Sequence, residues 1–268
     1  MNEDFINNIM DEVMKSLGTS STNPVASQEG ERCSAACSLT EFVGTSVGHT
    51  IGMVIANLDQ QVQEKLEIPA EYRAIGIIGS RCGAAPQIFA ADEAVKATGS
   101  RVVRVEMARD MEGGAGHGCL IIFGAADVSD ARRAVEVCLQ ELNTMFGEVY
   151  TNSAGHLQFQ YTARASFALN KAFGAEIGKS FGLTVGAPAA IGVLMADTAV
   201  KAASLNIIKI GAPGNGGTSF SNEVSVAFSG DSGAVKQAVM SARDVGMQLL
   251  KAMASDEEIK SAGKPYIQ

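Results

Sequence analysis

No run of about 18 apolar residues occurs anywhere in the 268-residue chain, so no helix is expected to cross a bilayer. The N-terminus opens Met1-Asn2-Glu3-Asp4, without a basic segment ahead of an apolar one, and does not read as a secretory signal. Basic charge is in deficit. With 21 Lys and Arg against 29 Asp and Glu, the net charge is −8, which argues against nucleic acid bound through a basic surface and against anionic membranes. Histidine is scarce: His49, His117 and His156 are scattered. Cys33 and Cys37 have three residues between them, not the two of a metal knuckle. A zinc site is therefore not expected, and Cys33, Cys37, Cys82, Cys119 and Cys138 read as free thiols. Gly-x-Ser-x-Gly, a Walker loop and His-Glu-x-x-His are all missing. The expectation is no catalytic residue, no cofactor and no metal.

What the chain has is a repeat. Ala91-Asp92-Glu93-Ala94-Val95-Lys96-Ala97 returns as Ala196-Asp197-Thr198-Ala199-Val200-Lys201-Ala202, 105 residues later from Asp92 to Asp197. The flanks agree. Ile75-Gly76-Ile77 answers Phe181-Gly182-Leu183, and Val102-Val103-Arg104-Val105 answers Ile207-Ile208-Lys209-Ile210. A Gly-rich loop follows in both copies, over 110–118 and 211–222, then a second strand and a helical stretch. The order strand, helix, strand, loop, strand, helix is kept, which makes this a tandem duplication. With 46% apolar residues the chain can bury a sizeable core. Each half reads as an α+β unit, ferredoxin-like, with an antiparallel sheet and helices on one face.

In chain order, residues 2–17 predict a lone helix whose Ile6, Ile9, Met10, Val13, Met14 and Leu17 form one apolar stripe. The Ser/Thr/Gly-rich stretch after it reads as a flexible linker. An isolated helix this short is marginal in water, so the stripe needs a partner: its own domain, or a groove on another protein in which it docks as a tag. Residues 39–48 suggest a strand. Ile51, Val54, Ile55, Leu58, Val62 and Leu66 share one face of a predicted helix over 50–66. Strands over 74–80, 101–107 and 118–123 and helices over 86–98 and 131–142 complete the first half, and 143–155 joins it to the second. There, 157–161 predicts a strand, 162–173 a helix, and residues from 255 on a solvated tail.

The Gly loops fail the nucleotide test, because a strand rather than a helix follows each. Asp92 and Asp197 resemble a carboxylate pair, but they occupy duplicated mid-helix positions, and catalysis needs distinct residues in distinct roles. Lys96 and Lys201 lie near the ends of their helices. They read either as solvated lysines favouring a helix C-terminus or as an edge contact used once per repeat.

The repeated Ala-Asp-x-Ala-Val-Lys-Ala phrase, Gly113-Gly114-Ala115-Gly116-His117-Gly118, Gln160-Tyr161-Thr162-Ala163-Arg164-Ala165-Ser166 and Gly217-Thr218-Ser219-Phe220-Ser221-Asn222-Glu223 together resemble the bacterial microcompartment (BMC) shell domain. The form they resemble is the circularly permuted tandem type, and the resemblance covers nearly the whole chain. It implies an N-terminal helix over 1–18, a linker over 19–37, and permuted domains over 38–150 and 151–268. It further implies a homotrimer shaped as a pseudo-hexamer, packed with other shell proteins around diol- or glycerol-processing enzymes inside a bacterial cytoplasm. On that resemblance Lys96 and Lys201 are lattice-edge residues, and the N-terminal stripe ties enzyme cargo to the shell. Pores for 1,2-propanediol or glycerol would be lined by Asp110, Glu112, Gly113, Gly114, Gly116, His117, Asn215, Gly216, Thr218, Ser219, Ser221 and Asn222. Polar groups there would replace the water hydrogen bonds of a passing diol. A reading from another class is a trimeric sensor that binds a small ligand between its repeats.

Overall fold

A computed structural model describes residues 40–108, 117–213 and 222–268. The chain divides into two units, Met1–Thr40 and Glu41–Gln268. All of the first but Thr40 lies outside the described residues, and with it the expected helix over 2–17, its stripe, the linker, Cys33 and Cys37.

The second unit holds two sheets with the same plan. The first is ordered β1-β2-β3-β5-β4, from β1 (Thr40–Ser46), β2 (Thr50–Ile55), β3 (Ala74–Ser80), β4 (Arg101–Ala108) and β5 (Gly118–Ala125). The other is ordered β11-β6-β7-β8-β10-β9, from β6 (Val149–Asn152), β7 (Gly155–Thr162), β8 (Ser180–Ala187), β9 (Leu205–Gly211), β10 (Val224–Gly230) and β11 (Lys260–Ser261). β3 pairs antiparallel with β2 and β5, as β8 does with β7 and β10. The helices are α1 (Gln60–Lys65), α2 (Ala85–Lys96), α3 (Val128–Met145), α4 (Phe167–Phe173), α5 (Ala189–Ala202) and α6 (Ser232–Met253). Leaving β11 aside, the order strand, strand, helix, strand, helix, strand, strand, helix occurs twice, so the sequence repeat is a repeat of architecture.

Alternation along the strands sends successive residues to opposite faces. On β3, Ile78 joins the core under α2 and α3, while Ile75 packs with Leu58, Ile68 and Ile122 on the other face, beneath the short α1 segment. In the second half, Phe159, Val226 and Phe228 face α5 and α6. Phe181, Leu183 and Val185 point the opposite way, into the same core as Ile88 and Phe89 of α2. The Phe89 and Phe181 rings sit 5.8 Å apart and Phe173 stacks on Phe181 at 5.9 Å. One core is therefore common to both halves.

Four local expectations are corrected. Residues 50–66 are not one helix but strand β2 followed by a loop and α1. Thr50, Gly52 and Val54 are buried while Ile51, Met53 and Ile55 are less so, a period of two that the 3–4 spacing of the apolar residues disguised. Gly52 is required there, because a Cβ would lie 2.5 Å from Val135 and 2.8 Å from Leu139 of α3. Asp59, whose Oδ1 accepts from the Gln61 and Val62 N–H groups, starts the true helix. The helix expected over 162–173 begins only at Phe167, where the chain reaches Asp92, whose carboxylate accepts from the Ser166 and Leu169 N–H groups. Residues 143–155 are more than a connection, because they carry β6 of the second sheet.

The tail from 255 is a strap rather than a solvated end. β11 pairs with Thr151 and Tyr150 of β6, and Ile267 is buried. The fully buried Glu148 explains the strap. Its carboxylate accepts from Arg243 Nη1 at 2.9 Å and from the Ile267 N–H at 2.9 Å, and Arg243 also donates to the Ile267 carbonyl at 2.8 Å. A buried charge demands such partners, and that demand cannot be read from the polar composition of the tail.

Candidate functional site

Where the two halves meet, a cavity of about 300 Å³ opens between the start of α2 and the second sheet. Gly83 to Ala85 line one side, with Met107 and His117. Gln158 of β7, Leu183 and Val185 of β8, Lys209 of β9, and Glu223 and Ser225 line the other. The wall is mostly apolar with a few polar groups, the usual make-up of a small-molecule site.

Glu223 is the centre of its polar part. One carboxylate oxygen lies 2.9 Å from His117 Nδ1 and the other 3.0 Å from His156 Nε2. His117 leads into β5 and Glu223 into β10, so the carboxylate ties the first half to the second. Burial alone would raise the Glu223 carboxyl, but the two histidine hydrogen bonds outweigh it and hold the group far below the usual carboxylate range. The three side chains are strung along one carboxylate rather than converged, and among the described residues no His/Cys/Asp/Glu group could hold a metal ion. Gln158 is almost fully buried, and its Oε1 has no hydrogen-bond partner. An orphan acceptor on a cavity wall is a group that a ligand's O–H or N–H can satisfy.

Of the pore residues expected from sequence, His117 lies on this cavity. Asn222 adjoins Glu223 in sequence and caps α5, accepting from the Ala189 N–H at 3.3 Å. Asp110, Glu112, Gly113, Gly114, Gly116, Asn215, Gly216, Thr218, Ser219 and Ser221 lie outside the described residues. The repeated lysines differ. Lys96 is 26% exposed and bridges Asp92 at 3.0 Å and Glu93 at 2.7 Å. Lys201 is 73% exposed and pairs with Asp197 at 2.6 Å. Burial pushes the Asp92 carboxyl up, against the pull of Lys96 and the Ser166 and Leu169 N–H groups. Asp197 is half exposed and caps nothing. The repeated aspartates thus have different surroundings and form no site together.

The sequence reading missed Gln158, Lys209 and the joining of His117 and His156 through Glu223. The available signal was position. His117 and Glu223 each end a Gly-rich loop just before a strand, the place where a loop hands a polar side chain to a sheet edge.

A family model described as the BMC domain matches residues 74–154 and again 180–261. The fold and the two matches define a protein of two BMC domains in tandem. The bacterial microcompartment shell protein PduB of Citrobacter freundii is 51% identical over 258 residues, covering 94% of this chain and 95% of that one. A crystal structure of a trimeric bacterial microcompartment shell protein PduB superposes with a TM-score of 0.80 at 49% identity, covering 84% of this chain and 99% of its own. EtuB from Clostridium kluyveri matches with the same TM-score and identity, over 84% of this chain and 97% of its own. The chain belongs to the PduB family of bacterial microcompartment shell proteins. It is a structural protein, not an enzyme, and these relatives are shell proteins rather than sensors.

Proposed function

We propose that three copies close head to tail into a pseudo-hexagonal tile that packs with other shell proteins. The domains are taken as 38–150 and 151–268. One observation carries this reading. In the first half, Ile88, Phe89 and Val102 are 0%, 1% and 7% exposed, covered by α4 and β8 of the second half. Their repeats 105 residues on, Val193, Leu194 and Ile207, are 58%, 41% and 42% exposed, with Ile210 beside them. The same face is thus used once inside the chain and offered once outside it. A face that fits the next copy's first half is heterologous, and a heterologous contact that closes makes a ring. The relative whose structure is a trimer agrees.

The cavity would pass small polar metabolites such as 1,2-propanediol or glycerol, with Gln158 Oε1, Ser225 and His117 replacing their water hydrogen bonds, joined by the expected loop groups Asp110, Glu112, Asn215, Thr218, Ser219, Ser221 and Asn222. Lys96 and Lys201 would meet neighbouring tiles, Lys201 the more freely of the two. The segment over 1–18 would hold enzyme cargo. The test of the tile is Leu194→Asp with Ile207→Asp, measured by light scattering after gel filtration. The wild type should elute as a trimer and the double variant as a folded monomer. A wild-type monomer, or a variant that stays trimeric, overturns the reading.

A further inference from the structure

The His117–Glu223–His156 cluster gives the cavity a charge that protons can set. Each imidazole spends one ring nitrogen on the Glu223 carboxylate, at 2.9 Å and 3.0 Å. With that carboxylate ionised, the hydrogens sit on His117 Nδ1 and His156 Nε2. The remaining ring nitrogens, His117 Nε2 and His156 Nδ1, have no partner among the described residues. Both rings are partly exposed, so a proton can reach them.

The surroundings decide what a proton would do. On the elements packed round the cavity, the start of α2, β7, β8 and the end of β4 add no charged side chain to its wall, and β9 adds Lys209. Lys209 has no hydrogen bond or ion pair among the described residues. With neutral imidazoles the wall therefore carries one carboxylate and one ammonium, which cancel. With both imidazoles protonated it carries a net charge of about two positive, and each ring gains an N–H donor on its open nitrogen. No rearrangement of the halves is needed, because the carboxylate keeps both hydrogen bonds in either state.

We propose that this cluster makes the cavity a proton-dependent selector, accepting neutral polyols at neutral pH and small carboxylate anions as the pH falls through the imidazole titration range. This rests on the reading of the cavity as a metabolite passage. It goes beyond that reading by assigning a second ligand class and the residues that admit it.

The experiment uses the full-length protein in its native assembly, with propionate and glycerol as probes of similar size. Binding of each is followed by calorimetry at pH 7.5 and pH 5.5, beside the double variant H117Q/H156Q, in which the glutamine amides still donate to Glu223 but cannot take up a proton. Propionate affinity should rise at least about 10-fold from pH 7.5 to pH 5.5 in the wild type, while glycerol affinity changes less than about 2-fold. In the double variant the propionate rise should disappear and glycerol binding should persist. Pulsed-field histidine shifts from 13C-labelled protein place the event, because the His117 and His156 ring resonances should move with propionate at pH 5.5. If glycerol binds but propionate binding is absent or independent of pH, the selector is overturned and the passage stands. A pH-dependent rise that survives in H117Q/H156Q overturns the assignment to these residues. If neither probe binds, both the passage and the selector fall.

Discussion

Asp92 joins the two halves through three kinds of contact, and its removal can be worked through from the structure. The carboxylate is fully buried, accepts from the Ser166 and Leu169 N–H groups at 2.9 Å and 3.2 Å, and holds Lys96 at 3.0 Å. Asp92→Ala removes the acceptor for two backbone donors at the start of α4. A hydrogen bond to a charged group contributes about 1.5–3 kcal/mol, and loss of a capping side chain costs about 1 kcal/mol. Lys96 keeps its bond to Glu93 at 2.7 Å, so no buried cation is stranded. The expected loss is about 2–3 kcal/mol, or a fall in Tm of about 5–10 °C for a unit of this size. Asp92→Asn keeps one acceptor oxygen and should cost about half as much. Asp197→Ala is the control. α1, which holds in the first half the place of α4 in the second, already has its N–H groups taken by Asp59, so Asp197 has no such donor to satisfy. An exposed pair contributes about 0–1 kcal/mol, so Asp197→Ala should move Tm by less than about 2 °C. The assay is urea unfolding with calorimetric Tm, at one fixed protein concentration because assembly shifts both. The pH dependence follows from the raised carboxyl. The folded state holds this proton to higher pH than the unfolded chain, so the stabilisation is full below the unfolded value of about 3.9 and is lost as pH rises through the folded one. The advantage of the wild type over Asp92→Asn should therefore be greater at pH 4 than at pH 7. Equal shifts for Asp92→Ala and Asp197→Ala would refute the reasoning.

Three further outcomes are expected. Arg243→Met strips the buried Glu148 of its ion pair and should cost about 3–5 kcal/mol in urea unfolding. Gly147→Ala places a Cβ against the Lys264 carbonyl, so the strap should lift and trypsin should cut after Lys260 or Lys264 much faster than in the wild type, as mass spectrometry of timed digests will show. Burial raises the Cys119 thiol to about 11 and Cys138 well above its ordinary value, so in a thiol-reagent assay at pH 8 both should react only after unfolding, with peptide mapping to assign them.

Element order was largely legible because long periodic segments declare themselves. The α3 face through Ala131, Ala134, Val135, Cys138, Leu139 and Leu142 is buried as its spacing requires. Strand β2 was misread because Ile51, Val54 and Ile55 satisfy the helical spacing and the pleat at once. A contact 93 residues away, Ser46 Oγ to the Leu139 carbonyl, helps fix that region, and nothing local encodes it. The strap was hidden for the same reason, since Glu148 and Ile267 lie 119 residues apart. Of the cavity, the sequence offered His117 and the loops, but not Gln158, because an orphan carbonyl oxygen is a property of packing and leaves no mark in composition.

The core built from Phe89, Phe173 and Phe181 has a consequence for how such paving could be assembled. In a ring of six equal modules, every seam must be found by collision and each carries the entropic toll of bringing free bodies together. Doubling the chain sews alternate seams during folding, before any encounter, and leaves only the others to chance. The sewn seams are also released from self-complementarity with the open ones, so their side chains can drift apart over generations, as Asp92 and Asp197 already have.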